Sequence, residues 1–306
     1  MKVTLIHNPD AGDDQQPSAD ELLGLMRQAG HTASYQSSKD ENWHSALEQS
    51  CDIVAVVGGD GIVGTVAKHL IGRHVPIGVL PMGTANNVAK TLGLIDRPLQ
   101  QLISRWATAP RVKFDVGMAS GPWNSKYFIE GLGMGLFTET MYRLDATNNV
   151  DLAHLDDTGE KVKSVLEILK ERLPSFTPNS LKITLDGRDM SGEYILVEVM
   201  NISYIGPNLC LAPHANPSDG LLDIVFVSKD GQDNLSKCLA HCIEGRLPYP
   251  GLTVRTGQHL QIEWDGFTIH TDDEVWPHNT SEFPIAPNTI DVKVYRHALE
   301  FLGLGK

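Results

Sequence analysis

The apolar residues of the first third fall into short unbroken runs. Each run is followed by a loop and then by apolar residues at helical spacing. Residues 3–7 (VTLIH) form the first run, and residues 19–30 (ADELLGLMRQAG) carry the first helical pattern up to a glycine stop. Residues 51–59 (CDIVAVVGG) precede GTVAKHLI, and residues 75–81 (VPIGVLP) precede ANNVAKTLGL. Repeated strand–loop–helix units predict a parallel sheet with helices on its faces. Ligands in such folds bind at the carboxyl ends of the strands. The three runs end in HNPDAG, GGDG and PMGTANN, so these loops are predicted to be neighbours.

The pattern changes near residue 111. RVKFDVGMA, KYFIEGLGMGL, SLKITLDGRDMSGEYILVEVMNIS, LLDIVFVS and LTVRTGQHLQIEW read as strands, with Asp186-Gly187 as a hairpin turn. Two helices interrupt them, at 161–173 and 234–246. The chain is therefore expected to hold an α/β domain at 1–115 and a mostly antiparallel β domain at 116–289. Whether 290–306 returns to the first domain is left open. Residues 144–160 carry five acids and no Lys or Arg, the mark of a solvated loop.

Composition narrows the function classes. The chain has 306 residues, 41% hydrophobic and 21% charged, as in ordinary globular proteins. Its formal net charge of −13 disfavours nucleic acid as a partner. No run approaches the ~18 apolar residues of a membrane span, and the first residues lack a signal-peptide core. The four cysteines form no C-x-x-C pair. Cys238 and Cys242 are four apart with His241 between them, but buried cysteine as a small hydrophobe is the simpler reading. A reduced, cytoplasmic protein is expected.

VVGGDGIVG, residues 56–64, contains G-x-G-x-x-G, the dinucleotide-binding fingerprint. That reading requires an acid about 20 residues later for the ribose. No Asp or Glu occurs from Gly61 through Ile95, and the motif follows the second predicted strand rather than the first. No Walker A loop occurs either. The glycines still let backbone N–H groups approach phosphate oxygens at a helix start. Asp60 opposes an anion there, so it serves either a tight turn or chemistry on a hydroxyl or metal.

G-G-D-G after a buried strand, then P-x-G-T-x-N opening a helix, resembles the diacylglycerol kinase catalytic-domain family. HNPDAG, EGLGMGL, the block NISYIGPNLCLAPHANPSDGLLDIVFV and TDDEVWP match further family blocks in order. The resemblance implies an N-terminal parallel α/β domain of the NAD kinase and phosphofructokinase kind, with a C-terminal β-sandwich domain. It implies ATP and Mg²⁺, with Asn8, Gly58, Gly59, Gly61, Thr84 and Asn86 near the nucleotide, although Thr84 would equally suit a helix cap. It implies metal organisation by Asp219 with the carbonyls of Asn216 and Leu221. Asp60, Asp272 and Glu274 are the candidate catalytic acids, and Asp272 and Glu274 are expected on one side of an extended segment. Asp60 and Glu274 both remain open as the proton acceptor.

The implied activity is ATP-dependent phosphorylation of a diacylglycerol-like or sphingoid hydroxyl, on a lipid substrate at a membrane surface with peripheral contact. A kinase of a soluble hydroxyl compound, or a non-catalytic nucleotide- or lipid-binding homologue, stands as the alternative. A homodimer is left open. Four departures from the family pattern matter. The first loop carries Asp10, Asp13 and Asp14 where relatives have a base, and Ile62 replaces a common threonine. Asn87 replaces a common aspartate, and Asp273 replaces the glycine of D-G-E.

Overall fold

The computed structural model describes residues 1–12, 16–147, 155, 157–277 and 288–303. It divides into two compact units, Met1–Phe114 with His297–Lys306, and Asp115–Arg296. Among the described residues no helix is long and apolar enough to cross a membrane.

The first unit holds β1 (Lys2–His7), α1 (Ala19–Gln28), β2 (Thr32–Ser37), β3 (Ile53–Gly58), α2 (Asp60–Leu70), β4 (Ile77–Pro81), α3 (Asn87–Thr91) and α4 (Leu99–Arg105). The four strands pair in parallel in the order β4-β3-β1-β2. Every residue of β3 is buried, as expected for a parallel strand covered on both faces. Ser18 and Glu21 form a reciprocal capping box at the start of α1. The chain leaves β1 toward β2 on one side and reaches β3 on the other. The crevice at that reversal of strand order lies between the loops after β1 and β3, where open α/β sheets bind ligands.

The chain passes into the second unit along β5 (Arg111–Gly121). There follow β6 (Asn124–Phe128), β7 (Gly131–Gly135), α5 (Leu136–Ala146), α6 (Thr158–Arg172), β8 (Asn179–Leu185), β9 (Arg188–Asp189) and β10 (Gly192–Met200). Next come β11 (Tyr204–Ile205), β12 (Leu209–Cys210), β13 (Leu222–Ser228), α7 (Gln232–Ile243), β14 (Thr253–Gly257), β15 (His259–Trp264), β16 (Ile269–Thr271), β17 (Glu274–Trp276) and β18 (Asn288–Leu302). The second unit's pairings are antiparallel, including β10 with β7, β8 and β13, and β15 with β8 and β18. Asp186 and Gly187 both take positive φ between β8 and β9, the two-residue hairpin turn expected from their sequence.

Two cores flank the strands of the second unit. Val197 and Val199 of β10 join one core with Leu132, Met134, Ile262 and Trp264. Leu196 and Met200 face the other, against Phe137 of α5, Leu166 of α6 and Leu239 of α7. The segment read as one strand-rich stretch at 252–264 is split at Gln258 into β14 and β15, which pair with different strands. Most of the acidic stretch 144–160 lies outside the described residues.

Candidate functional site

In the first unit the three predicted loops meet. Asn8 donates its backbone N–H to Val57 O (2.9 Å), and Met82 donates to Gly58 O (2.9 Å). A Cβ on Gly59 would lie 2.9 Å from Gly83 Cα, and one on Gly83 would lie 2.1 Å from Gly59 Cα. The second and third loops thus pack backbone against backbone, with no room for a side chain. Gly12 is equally confined, because a Cβ there would lie 2.2 Å from Met82 O. Gly58 has φ +152 and no space toward Ile62. Behind the loops, buried His7 meets Gln16 (3.2 Å), whose amide donates to Met82 O (3.4 Å).

Asp60 connects two of these loops. Its carboxylate accepts from the backbone N–H groups of Asn87 (2.9 Å) and Val88 (3.0 Å), the first residues of α3. Burial pushes its carboxyl upward, while those two amides and Lys90 pull it back. Asp60 therefore caps α3 from across the loop and opens α2 as an acid in its first turn. Asn86, at φ 53, accepts from Gly83 N (2.9 Å) and donates to Gly83 O (2.5 Å), so its side chain clamps its own turn. Thr84 is exposed and lies outside the helix. The capping alternative for it is corrected, since α3 begins at Asn87 and Asp60 caps it. Gly61 is exposed in the first turn of α2. Asn8 accepts through Oδ1 from Asp10 N (3.3 Å), an Asx turn. In the acidic first loop Asp10 pairs with Lys39 (2.8 Å); Asp13 and Asp14 lie outside the described residues.

The second unit holds the remaining predicted residues. Asp272 does not lie on an extended segment with Glu274, contrary to expectation. It sits at φ 53 in the two-residue turn between β16 and β17, where Thr271 pairs with Glu274. The hairpin forces that turn, and its positive φ falls on Asp272. Asp273 is left in an ordinary conformation, which explains why an aspartate fits where relatives carry glycine. The Asp272 carboxylate accepts from the N–H groups of Ile129 (3.0 Å), Glu130 (2.8 Å) and Gly131 (3.3 Å), a backbone nest. Glu274 is half-exposed and pairs with Lys126 (2.6 Å).

Asp219 is exposed and turns back to accept from Leu221 N (2.9 Å). Its own N–H donates weakly to Asn216 O (3.4 Å), one of the two carbonyls expected at a metal; Leu221 is the other. Two residues that sequence reasoning missed support this loop. Asp115 is fully buried; its carboxylate accepts from Gly220 N (2.7 Å), and its N–H donates to Pro217 O (2.6 Å). Asp223 is buried beside Asp219, and its carboxyl is pushed up to about 6 by burial and then by the negative charge of Asp219, with His214 opposing. Two neighbouring carboxylates with oxygen-rich backbone suit a hard cation. Among the described residues no three His, Cys, Asp or Glu side chains form a metal-binding group, so carbonyls or water would have to complete the shell.

Sequence reasoning also missed Glu198 and His270. Both are fully buried, and Glu198 Oε2 lies 3.0 Å from His270 Nε2. The signals were a lone acid in the apolar run of β10 and the glycines of β7. A Cβ on Gly133 would lie 1.9 Å from the Glu198 carboxylate.

Residues 2–119 match the diacylglycerol kinase catalytic domain, and residues 144–294 match the YegS C-terminal NAD kinase beta sandwich-like domain. Over residues 2–119 the chain belongs to the diacylglycerol kinase catalytic-domain family. Relatives in this family include the diacylglycerol kinase of Staphylococcus carnosus, 28% identical over 291 residues, covering 89% of this chain and 88% of that protein. The diacylglycerol kinase of Bacillus subtilis is 26% identical over 242 residues, covering 74% of each chain. Among solved structures, a diacylglycerol kinase from Bacillus anthracis superposes with a TM-score of 0.72 at 21% identity, covering 99% of this chain and 96% of that one. Yeast NADH kinase complexed with NADH superposes with a TM-score of 0.55 at 10% identity, covering 100% of this chain and 83% of that one. These two establish the shared fold: a parallel α/β domain followed by a β-sandwich.

Proposed function

We propose that this family member is an ATP-dependent lipid kinase. It transfers the γ-phosphate to a hydroxyl of a diacylglycerol-like or sphingoid lipid. The observation that carries the reading is the backbone contact of Gly59 with Gly83, held by Asp60 and Asn86, in a chain that matches the catalytic domain. Side-chain-free loops at a helix start present N–H groups to phosphate oxygens. Phosphoryl transfer depends on alignment and charge neutralisation, which such a rigid cradle supplies.

The three candidate acids have different engagements. Asp60 and Asp272 hold backbone amides, whereas Glu274 is half-exposed and pairs with the side chain of Lys126. Glu274 is therefore our choice for the group that accepts the proton of the lipid hydroxyl. Asp219 and the carbonyls of Asn216 and Leu221 would hold Mg²⁺, with Asp223 beside them. The cation would neutralise phosphate charge. Contact with a membrane would be peripheral.

The test is transfer of labelled phosphate from Mg²⁺-ATP to a panel of dispersed lipids, with Glu274→Gln in parallel. We expect transfer by the native chain and a rate lower by roughly 10²–10⁴ in the variant. No transfer to any lipid by folded protein would remove the reading. Transfer to a soluble hydroxyl compound instead would replace it.

A further inference from the structure

The strands beside the Asp272 turn enclose a polar pair that the proposed reaction does not use. Glu198 of β10, Gly133 of β7 and His270 of β16 lie in register across three adjacent strands. Glu198 shares its face with Leu196 and Met200, which pack on α5 and α6. Phe137 of α5 meets the His270 ring edge-on (centroids 5.1 Å). A carboxylate and an imidazole thus bridge over a glycine in an apolar layer. Such burial is costly unless each group is hydrogen-bonded.

The ring's other nitrogen identifies the task. His270 Nδ1 lies 3.0 Å from the carbonyl oxygen of Asp272. A carbonyl only accepts, so Nδ1 carries the proton and donates it. One further proton then lies between Nε2 and Glu198, whichever of the two holds it. Burial lowers His270, but Glu198 and Asp272 together more than offset it and raise the ring, while burial raises Glu198. The chain of contacts runs from Glu198 through His270 to the Asp272 carbonyl. At the same residue the Asp272 carboxylate grips the amides of 129–131.

We infer that Glu198 and His270 are positioning residues: the pair fixes the Asp272–Asp273 turn and thereby the placement of Glu274. Gly133 is glycine because the Glu198 carboxylate occupies the space above it. The inference rests on the lipid-kinase reading only for its kinetic arm.

The test compares the full chain with Glu198→Gln and Glu198→Met, which keep the volume and respectively keep and remove the hydrogen bond. His270→Phe is added in case Glu198→Met fails to fold. Hydrogen exchange followed by mass spectrometry reads the turn without requiring activity. Faster exchange confined to peptides covering 128–133 and 269–276 is expected in Glu198→Met or His270→Phe, with native exchange in Glu198→Gln. In the kinetic arm, kcat should fall by up to ~10²-fold in the apolar variants with the KM for ATP unchanged, and recover to within about threefold in Glu198→Gln. Native exchange in a folded apolar variant would overturn the inference, as would a native kcat. If the native chain transfers no phosphate to lipid, the exchange arm still decides the positioning, and the reading of the reaction alone has failed.

Discussion

Replacing Asp60 by asparagine separates two roles that the sequence leaves open. The carboxylate now accepts one hydrogen bond per oxygen, from Asn87 and Val88. An asparagine keeps one of them through Oδ1 and turns an N–H₂ group toward the other amide, leaving that donor unsatisfied. Losing one hydrogen bond to a charged group costs about 1.5–3 kcal/mol. Part of this is offset, because burial already disfavours the ionised aspartate. A net loss of about 1–2 kcal/mol remains, or roughly 3–6 °C in the melting of the first unit. The loosened third loop should raise the KM for ATP about tenfold, while kcat stays within tenfold. Differential scanning calorimetry and ATP titration at saturating lipid provide the measurement. An unchanged Tm with kcat lower by roughly 10²–10⁴ would refute the capping role and make Asp60 the proton acceptor.

Three further outcomes follow from the same geometry. Gly83→Ala places a Cβ 2.1 Å from Gly59 Cα, so the loops must part by roughly 1.3 Å to reach ordinary contact; kcat/KM for ATP should drop about 10²-fold, and a native value would show the contact to be dispensable. Asp272→Asn disturbs the grip on three amides and should cost about 1.5–3 kcal/mol in urea unfolding of the second unit, whereas an unchanged midpoint would contradict the nest. Asp223 has a folded value of about 6 against an ordinary 3.8, so its ionisation opposes folding, negligibly below the lower value and fully above the higher. With EDTA present, and after discounting for solvent screening, Asp223→Asn should therefore stabilise the protein by about 1–2 kcal/mol near pH 8 and by little near pH 4; equal gains at both would refute the burial argument.

The readable parts of this molecule are those where local pattern and tertiary role coincide. Strands β1, β3 and β4 are buried parallel strands, and their apolar runs say so directly. Strand β2 went unread because TASYQS lies at the sheet edge with only partly covered residues, so it lacks a continuous apolar run. The glycine loops were legible as neighbours at the strand ends, but the contact of Gly59 with Gly83 depends on strand order, which joins β3 to β4. Helix α3 was expected from residue 85 onward. It begins at Asn87 because its cap comes from Asp60, 27 residues earlier, which no local motif could reveal.

The second unit shows the same division more sharply. Two acids spaced two apart read as strand neighbours, and only the pairing of β16 with β17 turns Asp272 aside. The glycines of β7, like the lone acid in β10, carried a local hint of the buried pair. Gly133 in GLGMG implies a bulky group over the strand, but register with β10 and β16 is needed to identify it as Glu198 and His270. A charge inside an apolar run is costly unless partnered. Asp115 and Glu198 follow that rule, with partners 105 and 72 residues away. The acids singled out from the sequence are thus divided by the fold: Asp60 and Asp272 hold backbone N–H groups and shape their loops, whereas Glu274, half-exposed beside Lys126, is the one we propose to act on a substrate.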